Sequence, residues 1–145
     1  MAGSVPVGNG KHSLMKTMIK VFMPEALFPT KSNVDKLLRK LCGKNIHMFT
    51  RQPLILEHYR YLLKGFNNMA MGYHKTQTFS DEQIEVIRGK VLYLVGEDDP
   101  FAKLGGKDSL LKYEMNAQFF PEVGHGINHE ISEEINRILI NYFSA

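Results

Sequence analysis

One cysteine in 145 residues excludes an internal disulfide, and an unpaired thiol fits a reducing compartment. Cys42 falls in an apolar helical pattern and is expected to be a buried, inert thiol rather than a nucleophile. Basic runs are also absent. The net charge of +3 comes from 18 basic residues scattered among 15 acidic ones, with no interleaving of aromatic and basic residues, so nucleic acid is not expected as a partner. No window approaches the roughly 18 to 20 apolar residues of a membrane span. The first residues, "MAGSVPVGNG", carry neither the basic nor the apolar region of a signal peptide. A soluble, cytoplasmic chain is the expectation. Internal repeats and low-complexity segments are missing too.

What remains is a chain with 43% hydrophobic and 23% charged residues, the balance of one globular domain able to bury a core. Its two parts differ. Residues 1–88 read as helical with no convincing strand, and residues 89–145 alternate strand and helix. In the first part, residues 1–10 read as extended or loop. A helix is expected over His12–Phe22, closed by Pro24. Val34, Leu37, Leu38 and Leu41 give i, i+3, i+4, i+7 after a capping start at Ser32, with Gly43 as the stop. A longer helix follows Pro53 and reaches Phe66, and Ser80 to Gln83 form a capping box before another.

In the second part, Val91 to Val95 are apolar without alternation, as in a parallel strand covered on both faces. Residues 106–115 read as helix, Ala117 to Phe120 as a second strand, and Glu130 to Phe143 as an amphipathic helix. That order is a βαβα unit, so the fold class is α/β with two parallel neighbouring strands.

Reactive groups gather beyond the carboxyl ends of parallel strands. The first strand delivers Glu97, Asp98 and Asp99, and the second leads to "PEVGHGINHE", with His125 between two glycines. A carboxylate bonded to one imidazole nitrogen fixes the tautomer and leaves the other nitrogen to take a proton from a nucleophile. Competing readings are weaker. His125, His129 and Glu130 could suggest a metal site, but Gly126 interrupts them and the acids Glu130, Glu133 and Glu134 suit the positive end of the last helix. "LGGKDS" lacks the full phosphate-loop spacing and reads as a glycine turn before a helix. Neither a metal nor a cofactor is expected. Six of the methionines, Met15, Met18, Met23, Met48, Met69 and Met71, lie in the helical part and could line an adaptable pocket or simply fill a core. No chemistry attaches to His58, Tyr73 or His74.

The stretch "GKVLYLVGEDDPF", the spacing from Asp99 to His125, and "FFPEVGHGINHE" with its closing helix resemble the C-terminal part of the α/β-hydrolase fold. The resemblance covers residues 89–145; more loosely, residues 1–88 look like the helical cap, or lid, of that family, and "AGSVPV" like chain leaving an earlier strand. It implies a partial α/β-hydrolase fold and an ester- or acyl-bond hydrolase with a small hydrophobic acyl substrate. It also implies that Asp99 is the acid of a serine-histidine-acid triad, with Asp98 as the alternative and Glu97 solvated, and that His125 is its base.

The family's Gly-x-Ser-x-Gly elbow is absent. None of Ser4, Ser13, Ser32, Ser80, Ser109, Ser132 and Ser144 has glycines at both offsets. The chain is therefore expected to be the C-terminal half of a hydrolase, inactive alone. The alternative is a non-catalytic binding or assembly module. A two-stranded sheet exposes both edges, so a homo-oligomer or pairing with a missing N-terminal half is expected.

Overall fold

The structure, a computed structural model, describes residues 3–4, 14–23, 25, 27–65, 77–100 and 102–144. Its elements run β1 (Gly3–Ser4), α1 (Leu14–Phe22), α2 (Lys31–Leu41), a 3-10 turn (Lys44–Ile46), α3 (His47–Thr50) and α4 (Pro53–Gly65). They continue with β2 (Gln77–Thr78), α5 (Asp81–Ile87), β3 (Tyr93–Gly96), a second 3-10 turn (Ala102–Leu104), α6 (Gly106–Lys112), β4 (Ala117–Phe120), α7 (Ile127–Glu130) and α8 (Ser132–Ser144). The content is α/β. No helix among the described residues is long and apolar enough to cross a membrane.

β3 and β4 are parallel neighbours, with Tyr93 opposite Ala117 and Gly96 opposite Phe120. The strand was expected from Val91, but its ladder begins at Tyr93, whose N–H donates to Asn116 O at 2.8 Å. The connecting helix α6 stops at Lys112 rather than residue 115, because Glu114 adopts a left-handed φ of 51°. The Met115 N–H then reaches back to Leu110 O at 2.9 Å and the Glu114 N–H to Leu111 O at 3.1 Å. This is the paired closure that ends a helix at a left-handed residue. It delivers Met115 into a core with Ile84 and Leu110.

The expectation of no strand in residues 1–88 is corrected. β1 and β2 form a second parallel pair, Gly3 with Gln77 and Ser4 with Thr78. Two residues per strand carry no periodic signal; only a distant backbone partner makes them strands. The start of α2 also moves. Thr30, not Ser32, is the N-cap, its Oγ1 accepting from Asn33 N–H at 3.2 Å. The capping box on α5 is present as read: Ser80 N–H donates to Gln83 Oε1 at 3.0 Å and Gln83 N–H to Ser80 Oγ at 3.4 Å.

Three apolar clusters organise the core. Val34, Leu38 and Phe49 pack under Ile55, Leu56, Tyr59 and Leu63 of α4. Ile84 of α5 joins Leu110 and Met115, so this cluster crosses residue 88. Phe120, Val123 and Ile135 pack with Leu94, Ile127, Ile131 and Ile138, seating α7 and α8 against the sheet. The inward stripe of α8 fades towards its end, where Leu139 and Tyr142 are more than a third exposed. Of the methionines singled out in the sequence, Met48 is exposed and Met23 half-buried. The side chains of Met15 and Met18, and residues Pro24, Phe66, Met69, Met71, Tyr73 and His74, lie outside the described residues.

Candidate functional site

Parallel pairing places the ends of β3 and β4 side by side, and backbone hydrogen bonds carry the alignment into the loops that follow. Glu97 N–H donates to Phe120 O at 2.9 Å, Asp98 N–H to Val123 O at 2.9 Å, and Asp99 N–H closes a turn on Gly96 O at 3.3 Å. The loops approach so closely that Gly96 cannot carry a side chain. A Cβ there would lie 2.4 Å from the carbonyl oxygens of both Val123 and Gly124.

The loop after β4 is held from its other side by the turn that ends α2. His125 N–H donates to Leu41 O at 2.7 Å, and Lys44 N–H to Glu122 O at 2.9 Å. The Lys44 ammonium also pairs with the Glu122 carboxylate. A Cβ on Gly124 would lie 2.2 Å from Leu41 O, and one on Gly43 would lie 2.0 Å from Glu122 O. Gly43 stands just past the end of α2, after the C-cap Cys42, where the stop was expected, but it does not act through a left-handed backbone. Its φ is −82°, and its value is the close approach of two backbones.

Held this way, Asp99 Oδ2 lies 2.9 Å from His125 Nδ1. The aspartate side chain is 16% exposed and the imidazole 52%, so the acid is sheltered and the base reaches solvent. The hydrogen bond that the imidazole donates to Asp99 raises the His125 pKa above its ordinary 6.5, desolvation opposes it, and the charge of Asp99 adds a smaller upward push. Of the three acids after β3, Asp99 is the one at the imidazole nitrogen. Asp98 is exposed. Glu97 was expected in solvent but is half-buried and paired with Lys107, which α6 presents beside it.

Glu130 is a further correction. Expected at the start of the last helix, it ends the short α7. Ile131 then leaves helical geometry (φ −135°, ψ 44°), and α8 starts afresh at Ser132 with Glu133 and Glu134 in its first turn. The Glu130 carboxylate points inward and is 3% exposed. Its Oε2 accepts from Gly43 N–H at 2.8 Å and its Oε1 from Gly124 N–H at 3.1 Å. Cys42 lies against the same carboxylate. Burial first, then the charge of Glu130 and a hydrogen bond to it, push the thiol up to about 12, so it is protonated at neutral pH and a poor nucleophile.

His129, the remaining histidine of the loop, packs as an aromatic ring. It meets Phe49 edge-on at 4.7 Å between centroids and Tyr59 at 6.4 Å. The Phe49 ring occupies the space a Cβ on Gly126 would take, with Cζ 2.4 Å away. With Glu130 bound to backbone amides and His129 among aromatics, His125, His129 and Glu130 do not converge. Among the described residues no group of three potential ligands could hold a metal ion. The paired glycines of "LGGKDS" form the turn into α6, Gly105 taking a left-handed φ of 97°. His58 lies edge-on to Tyr59 at 6.3 Å.

The arrangement can fix one imidazole tautomer and hold the ring half-exposed, at the mouth of two strand ends. Glu130 is the residue that sequence reasoning missed. Its only signal is an acid inside the apolar seam of Ile127 and Ile131. No protein-family model matches the chain, and no curated protein matches it in sequence.

Proposed function

We propose that the chain carries the acid and base of a serine hydrolase of the α/β-hydrolase type, acting on an ester or similar acyl bond of a small hydrophobic substrate. The observation that supports it is the 2.9 Å contact between Asp99 Oδ2 and His125 Nδ1, formed at the ends of adjacent parallel strands. With Nδ1–H donated to the carboxylate, the basic lone pair is on Nε2. Nε2 takes the proton of an attacking hydroxyl, and the imidazolium so formed is stabilised by Asp99. The same nitrogen then returns the proton to the leaving group. Asp99 orients; His125 is base, then acid.

The 145 residues contain no Gly-x-Ser-x-Gly elbow, so the covalent step has no activated serine within them. Without the nucleophile, little remains beyond binding. The pure chain is expected to hydrolyse a p-nitrophenyl ester no faster than its His125→Ala variant. Clear turnover that His125→Ala abolishes would overturn the assignment of the nucleophile to other sequence. Reading the DNA upstream of Met1 tests the parent activity. An in-frame Gly-x-Ser-x-Gly supports the hydrolase, and its absence favours the second reading.

That second reading is an assembly module built on the same fold. It is favoured by the edges of the two-stranded β3–β4 sheet and by exposed apolar side chains, including Phe143 at 80% and Ile140 at 66% on α8. It predicts a homo-oligomer, or association with a chain that supplies further strands. A monomeric mass by light scattering, with slow amide exchange over residues 93–96, would count against it. The single protonated thiol suits a reducing compartment such as the cytoplasm.

A further inference from the structure

We propose that Glu130 is the positioning residue of His125, its carboxylate clamping the loop that bears the imidazole to the turn that ends α2. The inference concerns what holds the imidazole, whatever reaction the imidazole serves. Three observations carry it. First, both carboxylate oxygens are committed in opposite directions, Oε2 to Gly43 N–H at 2.8 Å and Oε1 to Gly124 N–H at 3.1 Å. One side chain thereby spans two backbone segments, and Gly124 is the residue immediately before His125. Second, the carboxylate is buried: Glu130 is 3% exposed, its bond to Gly124 N–H is buried and its bond to Gly43 N–H partly so, and losing the first leaves a buried amide without an acceptor. Third, the seam it closes has no slack. Gly43 and Gly124 each face opposing backbone at a distance that excludes even a Cβ, and His125 N–H is bonded to Leu41 O at 2.7 Å.

A carboxylate is required chemically because the site presents donors only: two backbone amides, with the protonated Cys42 thiol beside them. An isosteric amide offers one acceptor oxygen and turns an NH2 group towards the other donor. Glu130→Gln therefore keeps the volume and breaks one half of the clamp. The loop shifts against the 41–44 turn, and the Asp99–His125 contact lengthens although neither residue is changed.

The experiment is a proton and nitrogen NMR titration of the His125 ring in the full chain, with Glu130→Gln and, as control, Leu110→Ala. Leu110 belongs to the core cluster with Ile84 and Met115, apart from the clamp. Glu130→Gln is expected to move the His125 midpoint down towards that of Asp99→Asn and to weaken the downfield Nδ1 proton signal. Leu110→Ala is expected to lower the melting temperature while leaving the His125 midpoint where it was. A folded Glu130→Gln chain with an unchanged His125 titration would overturn the proposal, as would an equal shift in Leu110→Ala. If Glu130→Gln does not fold, amide exchange in the unaltered chain decides. Gly43 and Gly124 amides protected and exchanging together support the clamp, and unprotected exchange at either one refutes it. None of these readouts needs a serine or a substrate, so the clamp can stand where the hydrolase reading fails, and the reverse.

Discussion

Replacing Gly124 with alanine tests how the site is held together more directly than any change of a charged residue. The added Cβ would sit 2.2 Å from Leu41 O, 2.5 Å from Cys42 C and 2.6 Å from Cys42 Cα. All three are backbone atoms at the end of α2, so no side chain can rotate away and the two segments must part. Overpacking of this kind costs about 1–3 kcal/mol. Parting the segments also weakens two hydrogen bonds, Gly124 N–H to Glu130 and His125 N–H to Leu41, at about 1 kcal/mol each. Against this, alanine reduces the entropy of the unfolded chain, which favours folding by about 0.4–1 kcal/mol. The net expectation is a loss of about 3 kcal/mol, or about 6–12 °C in Tm for a chain of this length. Urea titration followed by circular dichroism would read it as a lower midpoint with an unchanged slope. The matched control is Gly89→Ala, where nothing lies within 4 Å of the added carbon, and no loss, or a gain of up to about 1 kcal/mol, is expected. Equal midpoints for the two variants would refute the claim that backbone contact between the 41–44 turn and the 122–125 loop seats the histidine.

Asp99→Asn should make stability less dependent on pH in a definite direction. Folding raises the His125 pKa above 6.5, so the contribution of the Asp99–His125 pair is fully present below that value and lost as pH climbs through the folded-state pKa. The variant should therefore lose more stability at pH 5.5 than at pH 9, measured by urea midpoints, and a deficit equal at both pH values would contradict the cause assigned to the shift. Cys42, with its thiol pushed up to about 12, should be nearly all protonated at pH 8. Iodoacetamide labelling of the folded chain should be far slower than of the urea-unfolded chain, and equal rates would refute the partial burial of the thiol beside Glu130.

Much of the fold was legible because it rests on local periodicity. The stripe of Val34, Leu37, Leu38 and Leu41 marks α2, and all but Leu41 are fully buried. The Ser80 capping box is contained within four residues and forms as written. The unalternating apolar run before Gly96, followed by Ala117 to Phe120, yields the parallel pair, and with it the neighbourhood of Asp99 and His125. Two acids on adjacent positions could not be told apart by chemistry alone. The turn closed by Asp99 N–H on Gly96 O orders them, with Asp99 at the imidazole nitrogen.

By itself, then, the sequence determined where the longer helices and the strands β3 and β4 lie to within a few residues, and which acid loop would face which histidine. Those outcomes depend on neighbours in the chain and on the one topology open to a βαβ crossover. Tertiary structure decided the rest. β1 and β2 exist only because each supplies the other's hydrogen bonds. Gly43 is a glycine because Glu122 O lies where its Cβ would be. Glu130 leaves the helix terminus it was expected to serve because its two acceptors meet amide donors, one of them 87 residues away in sequence. A buried carboxylate goes where the unsatisfied donors are, and a linear reading contains no record of which backbone amides folding will strand together.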